Sequence, residues 1–282
     1  MNEHCYTFDK LKLKYGIFDE IVDACYIIHV VGSIRLKKVL EQTYELPLCK
    51  NTMICHNKGF KKCHKDLKIQ RTPYDLLNCY KYILNDALRQ KYKNIIILED
   101  DFIYENALFN PYYQKNIIEF VKKNKKDDYV FSLGALPIYQ SLCITNPYIT
   151  NLYLSCGMQA ILYSEKSIRN IYNQINTMND IDEYMSTKYF YKRYGHIVPL
   201  ITQTFPETEN TKSWGSHYSI KYKNKVYEFN LYQIVKYFFY IFNLQNDTRH
   251  YKTVSLLSLF LFYLIVFYLI YKIIKIISKK VF

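Results

Sequence analysis

Glycine is scarce in this chain, with seven among 282 residues, and neither Gly-x-Gly-x-x-Gly nor Gly-x-x-x-x-Gly-Lys occurs. The two commonest glycine-rich phosphate cradles are thereby excluded, so a nucleotide would have to be held by side chains and a cation. The eight cysteines include no Cys-x-x-Cys pair. Without such a hook, Cys49, Cys55, His56, Cys63 and His64 read as a lysine-rich surface loop and not as a zinc site. No apolar leader is visible in the polar stretch Met1 to Leu11, so a signal peptide is not expected. The scattered cysteines then favour a reduced, cytosol-facing domain. A nucleic-acid partner is not expected either. The net charge of +13 accompanies a general abundance of Lys, Asn, Ile and Tyr, the mark of AT-rich coding, and no nucleic-acid motif goes with it.

What is present is half hydrophobic and 22% charged, enough to bury a real core. The chain organises itself around Asn94 to Asp101, Asn-Ile-Ile-Ile-Leu-Glu-Asp-Asp. Ile95 to Leu98 suit a strand buried on both faces. Burying Glu99, Asp100 and Asp101 unpaired would cost several kcal/mol, so they are placed at the strand's exit, where open α/β sheets bind ligands. Hard carboxylate oxygens there suit Mg²⁺ or Mn²⁺, whose usual partner is a substrate diphosphate. The competing reading is a solvated acidic turn.

Upstream, Val22 to Val31 reads as a first buried strand, turned by Gly32 and Ser33 into a helix over Ile34 to Glu45 with Arg35 near its start. Residues 46 to 71 read as an irregular excursion. Thr72-Pro73 then opens a helix whose apolar face runs from Leu76 to Leu88. Strand, helix, strand in this order predicts a right-handed crossover and a parallel sheet. Downstream, helices are predicted over Tyr112 to Lys126, over Glu165 to Ile175 with Ser164 as cap, and over Asn179 to Tyr191. Strands are predicted at Asp128 to Leu133, Ser155 to Ser164 and Ile197 to Ile201.

The C-terminal part differs. Leu231 to Leu244 suits a membrane surface. Thr253 to Tyr271 is 19 residues without a charge, bracketed by Lys252 and Lys272. As a helix it reaches about 28 Å, close to the hydrocarbon thickness of a bilayer. The expected division is an N-terminal extension at 1–20, a catalytic domain at 21–225, a juxtamembrane segment at 226–252, a transmembrane helix at 253–271 and a basic tail at 272–282. A single-pass anchor of this kind, with no leader before it, predicts late insertion with the domain left in the cytosol, although the lysines of the tail pull the other way.

The order of these pieces resembles the family 25 glycosyltransferases, the group that includes bacterial lipopolysaccharide-modifying enzymes and collagen galactosyltransferases. The resemblance runs from about Val22 to Ser219. It rests on the opening strand with Ser33 and Arg35, on Ile97-Leu98-Glu99-Asp100-Asp101, on Leu133-Gly134-Ala135, on Gly157 to Ser164, on Asp182, and on Pro199 followed by Gln203. Two departures stand out: Cys79-Tyr80 lies where the family carries Ser-His, and the 46 to 71 loop is unlike the family's.

The resemblance implies an α/β, GT-A-like, Rossmann-type and mostly parallel sheet binding a nucleotide sugar, here a UDP-sugar, with Mn²⁺ or Mg²⁺ on the acidic motif. Asp101 is then the first metal ligand and Asp100 bridges metal or ribose. Glu99 hydrogen-bonds nearby, Ser33 and Arg35 help bind the donor, and His217 is a candidate to complete the metal shell. An inverting displacement needs a base away from the metal, and Asp180, Asp182 and Glu183 are the acids left. Asp180 suits a helix cap, so Asp182 is the first candidate and Glu183 the second. The expected function is a membrane-anchored glycosyltransferase acting on a glycan or protein hydroxyl. The alternative is an inactive relative that binds sugars or organises a membrane, and a metal-dependent phosphoryl hydrolase is a weaker third.

Overall fold

The computed structural model describes residues 3–189, 191–204, 217–222 and 225–281; for 3, 217–222, 225–235 and 279–281 it describes the backbone alone. Nine strands form one sheet: β1 (Tyr6–Lys10), β2 (Ala24–Val30), β3 (Thr52–Asn57), β4 (Asn94–Glu99), β6 (Val130–Ser132), β7 (Leu136–Cys143), β8 (Asn146–Cys156), β9 (Ala160–Ser164) and β10 (Arg193–His196), in the order β1-β3-β2-β4-β9-β6-β10-β8-β7. Six of the nine strands point the same way, yet only three of the eight neighbouring pairs are parallel, because β9 and β8 are interleaved in the opposite sense. The expected parallel relation holds between β2 and β4, and β3 joins them on the other side of β2, with helical crossovers returning the chain in the same direction. Short β5 (Ile103–Tyr104) pairs with β11 (Ile201–Thr202), and β12 (His217–Tyr222) with β13 (Lys225–Asn230).

The apolar run of β4 is buried on both faces. Ile95 and Ile97 join the cluster under α2 (Thr72–Arg89), α4 (Glu165–Gln174) and α5 (Ile181–Lys188), where Leu84, Ile168 and Met185 lie. Ile96 and Leu98 face the opposite cluster, which α1 (Leu36–Glu45) and α3 (Pro111–Lys123) close with Val39 and Ile117. Alternate residues of one strand thus serve two helical layers, and the acids that follow emerge at the sheet's edge between them.

Two regions differ from expectation. The excursion at 46–71 contains β3, and β1, expected in an N-terminal extension, pairs antiparallel with it as the sheet's outer strand. What fixes the rest of the excursion is a buried cluster. The Lys65 ammonium, fully buried, bonds Asn57 Oδ1 and Asp75 Oδ1 and lies 4.4 Å from the centre of the Tyr6 ring. Beside it, Cys5 and Cys63 form a disulfide. Cys63 is thus joined to Cys5 with His4 beside them, whereas Cys55 rests against Cys79 at 3.7 Å and His56 pairs with Asp9, so the cysteines and histidines of this segment are dispersed over separate contacts. The disulfide also departs from the expected wholly reduced domain, since such bonds persist in oxidising surroundings.

The second difference lies at the C-terminal part, where α6 (Leu231–Ile241) leads to α7 (Tyr251–Val281). Among the described residues, α7 is the helix long and apolar enough to cross a membrane. It is one continuous element, and its first half is seated on β7. Gln140 Nε2 donates to Ser255 O at 2.9 Å, Leu142 N to the Tyr263 hydroxyl at 3.4 Å, and Phe262 packs on Tyr139 and Tyr153.

Asp75→Ala leaves the Lys65 charge buried without its carboxylate partner. It is expected to cost about 3–5 kcal/mol by chemical denaturation, whereas Lys37→Ala, which breaks an exposed pair with Glu41, should leave the midpoint in place. A chain ended after Tyr263 keeps the seat of α7 and should melt with the full chain in detergent. One ended before Leu231 uncovers Leu136 and Gln140 and should melt lower.

Candidate active site

The site starts where β2 and β4 end side by side, with Ile28 opposite Glu99. One residue beyond that pair, buried His29 and Asp100 meet, with Nδ1 2.9 Å from Oδ2. The other Asp100 oxygen accepts from Arg35 Nη1 at 3.0 Å, and the same nitrogen lies 3.7 Å from Asp101 Oδ2. Ser33 Oγ accepts the Arg35 backbone N–H at 3.3 Å, a local turn that sets Arg35 at the head of α1. Partial burial works against the Arg35 charge, but Asp101 and Asp100 outweigh it and hold the guanidinium above its ordinary range. Asp100 is thus engaged on both oxygens. Asp101 keeps a buried Oδ1 with no hydrogen-bond partner.

The opposite wall is the first turn of α5. Asp180 Oδ1 accepts Glu183 N at 3.1 Å as the helix cap, and Asp182 turns inward with an unpartnered, buried Oδ1. Burial, then the charge of Asp180, pushes the Asp182 carboxyl up to about 7, against the pull of Arg193. Arg193 is fully buried, bonds Ser186 Oγ at 3.2 Å and leaves Nε without a partner. Burial pushes Asp101 up to about 6, with Arg35 opposing. Glu99 is raised well above the carboxylate range, first by burial and then by the charges of Asp101 and Asp182. Glu99 is thus the β4 acid that feels the charges of Asp182 and Asp180 on the α5 side.

Backbone close approach shapes the remaining side. A Cβ on Gly134 would stand 1.3 Å from the carbonyl of Ile201, so only glycine lets β11 pass there. Gly157 has φ of +88°, and a Cβ on it would press on Gln159 Oε1 at 2.4 Å. Gln159 in turn bonds the carbonyls of Gly134 and Ile201. The Tyr251 hydroxyl of α7 donates to Gln203 O at 2.8 Å and lies within electrostatic reach of Asp101.

Of the residues nominated from the sequence, Ser33, Arg35, Glu99, Asp100, Asp101 and Asp182 gather here. Glu183 is exposed on the outer side of the same helix turn. His217 lies outside the residues whose side chains are described; its backbone pairs with Asn230. The acids fit a divalent cation in one respect: Asp101 offers a free carboxylate oxygen, and Mg²⁺ or Mn²⁺ with a diphosphate needs only one or two from the protein. Each Asp100 oxygen already has one partner, His29 or Arg35. Sequence reasoning passed over His29 and Arg193. The signal for His29 was there, a lone histidine in the apolar strand Cys25 to Val30. Arg193 had none, since its burial depends on the packing of β10.

The carboxyl of Asp182 ionises at 3.8 in ordinary surroundings and about 7 here. Between those values the native state keeps a proton that the unfolded chain has released, so stability falls as pH rises through that window. Denaturation midpoints measured from pH 4 to 8 should show this fall, and Asp182→Asn should lessen it, with the raised carboxyls of Asp101 and Glu99 keeping the rest.

No protein-family model matches the sequence, and no curated protein does. Among solved structures, A197 from STIV is similar at 12% identity with a TM-score of 0.40, covering 66% of this chain and 86% of its own. A glycosyltransferase involved in the glycosylation of the major capsid of PBCV-1 is similar at 8% identity with a TM-score of 0.37, covering 64% of this chain and 92% of its own.

Proposed function

We propose that the protein is a membrane-associated glycosyltransferase that moves a sugar from a nucleotide-sugar donor, a UDP-sugar in the first instance, to a hydroxyl on a glycan or protein. The observation that carries this is the pairing of two acidic walls with different work to do. At the exit of β4, Asp101 has a free oxygen beside the Arg35 cation, a setting that suits a metal-bound diphosphate. Across from it, Asp182 has a free oxygen and a carboxyl near neutrality.

In this reading Arg35 and Ser33 steady the donor phosphates, while His29 and Arg35 hold Asp100 in place. A divalent cation, when bound, stabilises the negative charge that gathers on the departing nucleotide. Asp182 takes the proton of the acceptor hydroxyl as it attacks opposite the leaving group, as an inverting reaction requires. A base poised near the working pH is effective for this transfer. Arg193 tempers its basicity from behind, and Glu183 remains the second candidate. The alternative, an inactive sugar-binding or membrane-organising relative, keeps the same walls without turnover.

The disulfide and the lysines at 272, 275, 279 and 280 bear on orientation. Both favour the domain on the side away from the cytosol and the tail within it, the reverse of what the cysteine count alone implied.

The test is transfer from or hydrolysis of UDP-sugars by the full chain in detergent, with Mn²⁺ and with EDTA. Activity is expected only with the metal, and Asp101→Ala should abolish it while the domain stays folded. Asp182→Asn should lower kcat by about 100-fold or more with donor affinity nearly unchanged. Donor binding without turnover under every metal would favour the inactive relative. Full activity in EDTA would remove the metal from the proposal.

A further inference from the structure

We infer that the β7–β8 hairpin is a second membrane-contacting element, which enters the lipid surface beside α7 and holds the catalytic mouth above it. The inference rests on the reading of α7 as a membrane helix.

The hairpin is unusual in composition. From Tyr129 to Ser164 the chain has 36 residues without Asp, Glu, Lys, Arg or His, although 22% of all residues are charged. Burial accounts for the parts inside the sheet, but not for the tip. Ile144 is fully exposed, Thr145 and Pro147 are exposed beside it, and Leu154 is exposed on the return strand. A water-facing β-turn usually carries polar or charged residues, and this edge strand has none of the charges that keep such edges in water.

The seating of α7 gives the hairpin its direction. Leu136 clusters with Tyr251 and Val254 at one end, Gln140 meets Ser255, and Leu142 meets Tyr263 at the other. Six steps along β7 at roughly 3.3 Å match twelve along α7 at 1.5 Å, about 20 Å against 18 Å. Strand and helix therefore run side by side in the same sense, and the tip stands level with the turn after Tyr263. From there to Tyr271 α7 is uncharged and largely exposed, with Leu264, Phe267 and Tyr268 more than half exposed. Only eight uncharged residues, Leu264 to Tyr271, separate Tyr263 from Lys272, about 12 Å of helix. Insertion deep enough to cover them brings Ile144 to the lipid.

The other end of the same pair fixes the catalytic mouth. Tyr251, at the start of α7 and about 18 Å along its axis from the tip, donates to Gln203 O and feels the charge of Asp101, so that acid lies toward this end of the helix. An acceptor hydroxyl presented at that height belongs to a membrane-borne glycan that stands clear of the headgroups, whose layer is only about 5–7 Å deep.

The test places a single tryptophan in the full chain, with Trp214→Phe as background, reconstituted into phosphatidylcholine vesicles with or without bromine on the acyl chains. Reporters are Phe267→Trp on the free part of α7, Ile144→Trp on the tip, and Ile69→Trp on the excursion at the far edge of the sheet. Quenching and a blue shift at 267 and 144, with neither at 69, is the expected result. Quenching at 267 alone overturns the hairpin inference and leaves the membrane helix standing. Quenching at none overturns both, and quenching at all three shows adsorption of the whole domain and overturns the specific contact.

Discussion

Too many negative charges converge at one place, and much of this structure is the answer to that. Three consecutive carboxylates leave β4 and two more approach from α5 within reach of the same charges. No arrangement of that kind is stable with every group ionised and unpartnered. The chain engages both oxygens of one acid, by closing His29 and Arg35 on Asp100. It leaves Asp101 and Asp182 half-answered, with raised carboxyls and free oxygens. Residual frustration of this sort is common where a protein binds something positive or moves a proton.

The supports of the cluster come from distant parts of the chain. His29 needs β2 parallel to β4, which in turn needs the crossover through α1, β3 and α2. Arg35 needs the Ser33 turn. Asp182 needs the Asp180 cap, which orients the first turn of α5 so that one acid caps, one faces in and one, Glu183, faces water. The fold is thus legible as a set of devices for bringing a few side chains to the ends of two strands.

Much of that was readable in the residues themselves. The apolar run of β4, the Val22 to Val31 strand, the Pro-initiated α2 and the Ser164 cap are local signals, and the structure has all four elements within a few residues. The capping role of Asp180 followed from spacing alone. Apart from the parallel relation of β2 and β4, long-range pairing was not legible. Nothing in Tyr6 to Lys10 announces that it edges the sheet, and β3 lies hidden among lysines, because their partners are decided by tertiary contacts. The uncharged hairpin was passed over because its residues mix polar and apolar types without clean alternation, and its bulges disturb the period further. Arg193 is an extreme case of the same limit: an arginine reads as surface until the structure encloses it.

The seat of α7 on β7 also bears on how the chain matures. Leu136 is synthesised more than a hundred residues before Tyr251, so β7 waits as a bare edge while the rest of the domain is made. In the proposed membrane setting a bilayer would compete for the same helix. If lipid captures α7 before β7 does, the domain is left with an open strand and a tendency to pair with a neighbouring copy. Productive assembly therefore depends on the order in which sheet and lipid meet the helix, and the chaperone or insertion route that sets that order acts on the yield of native protein without touching the site.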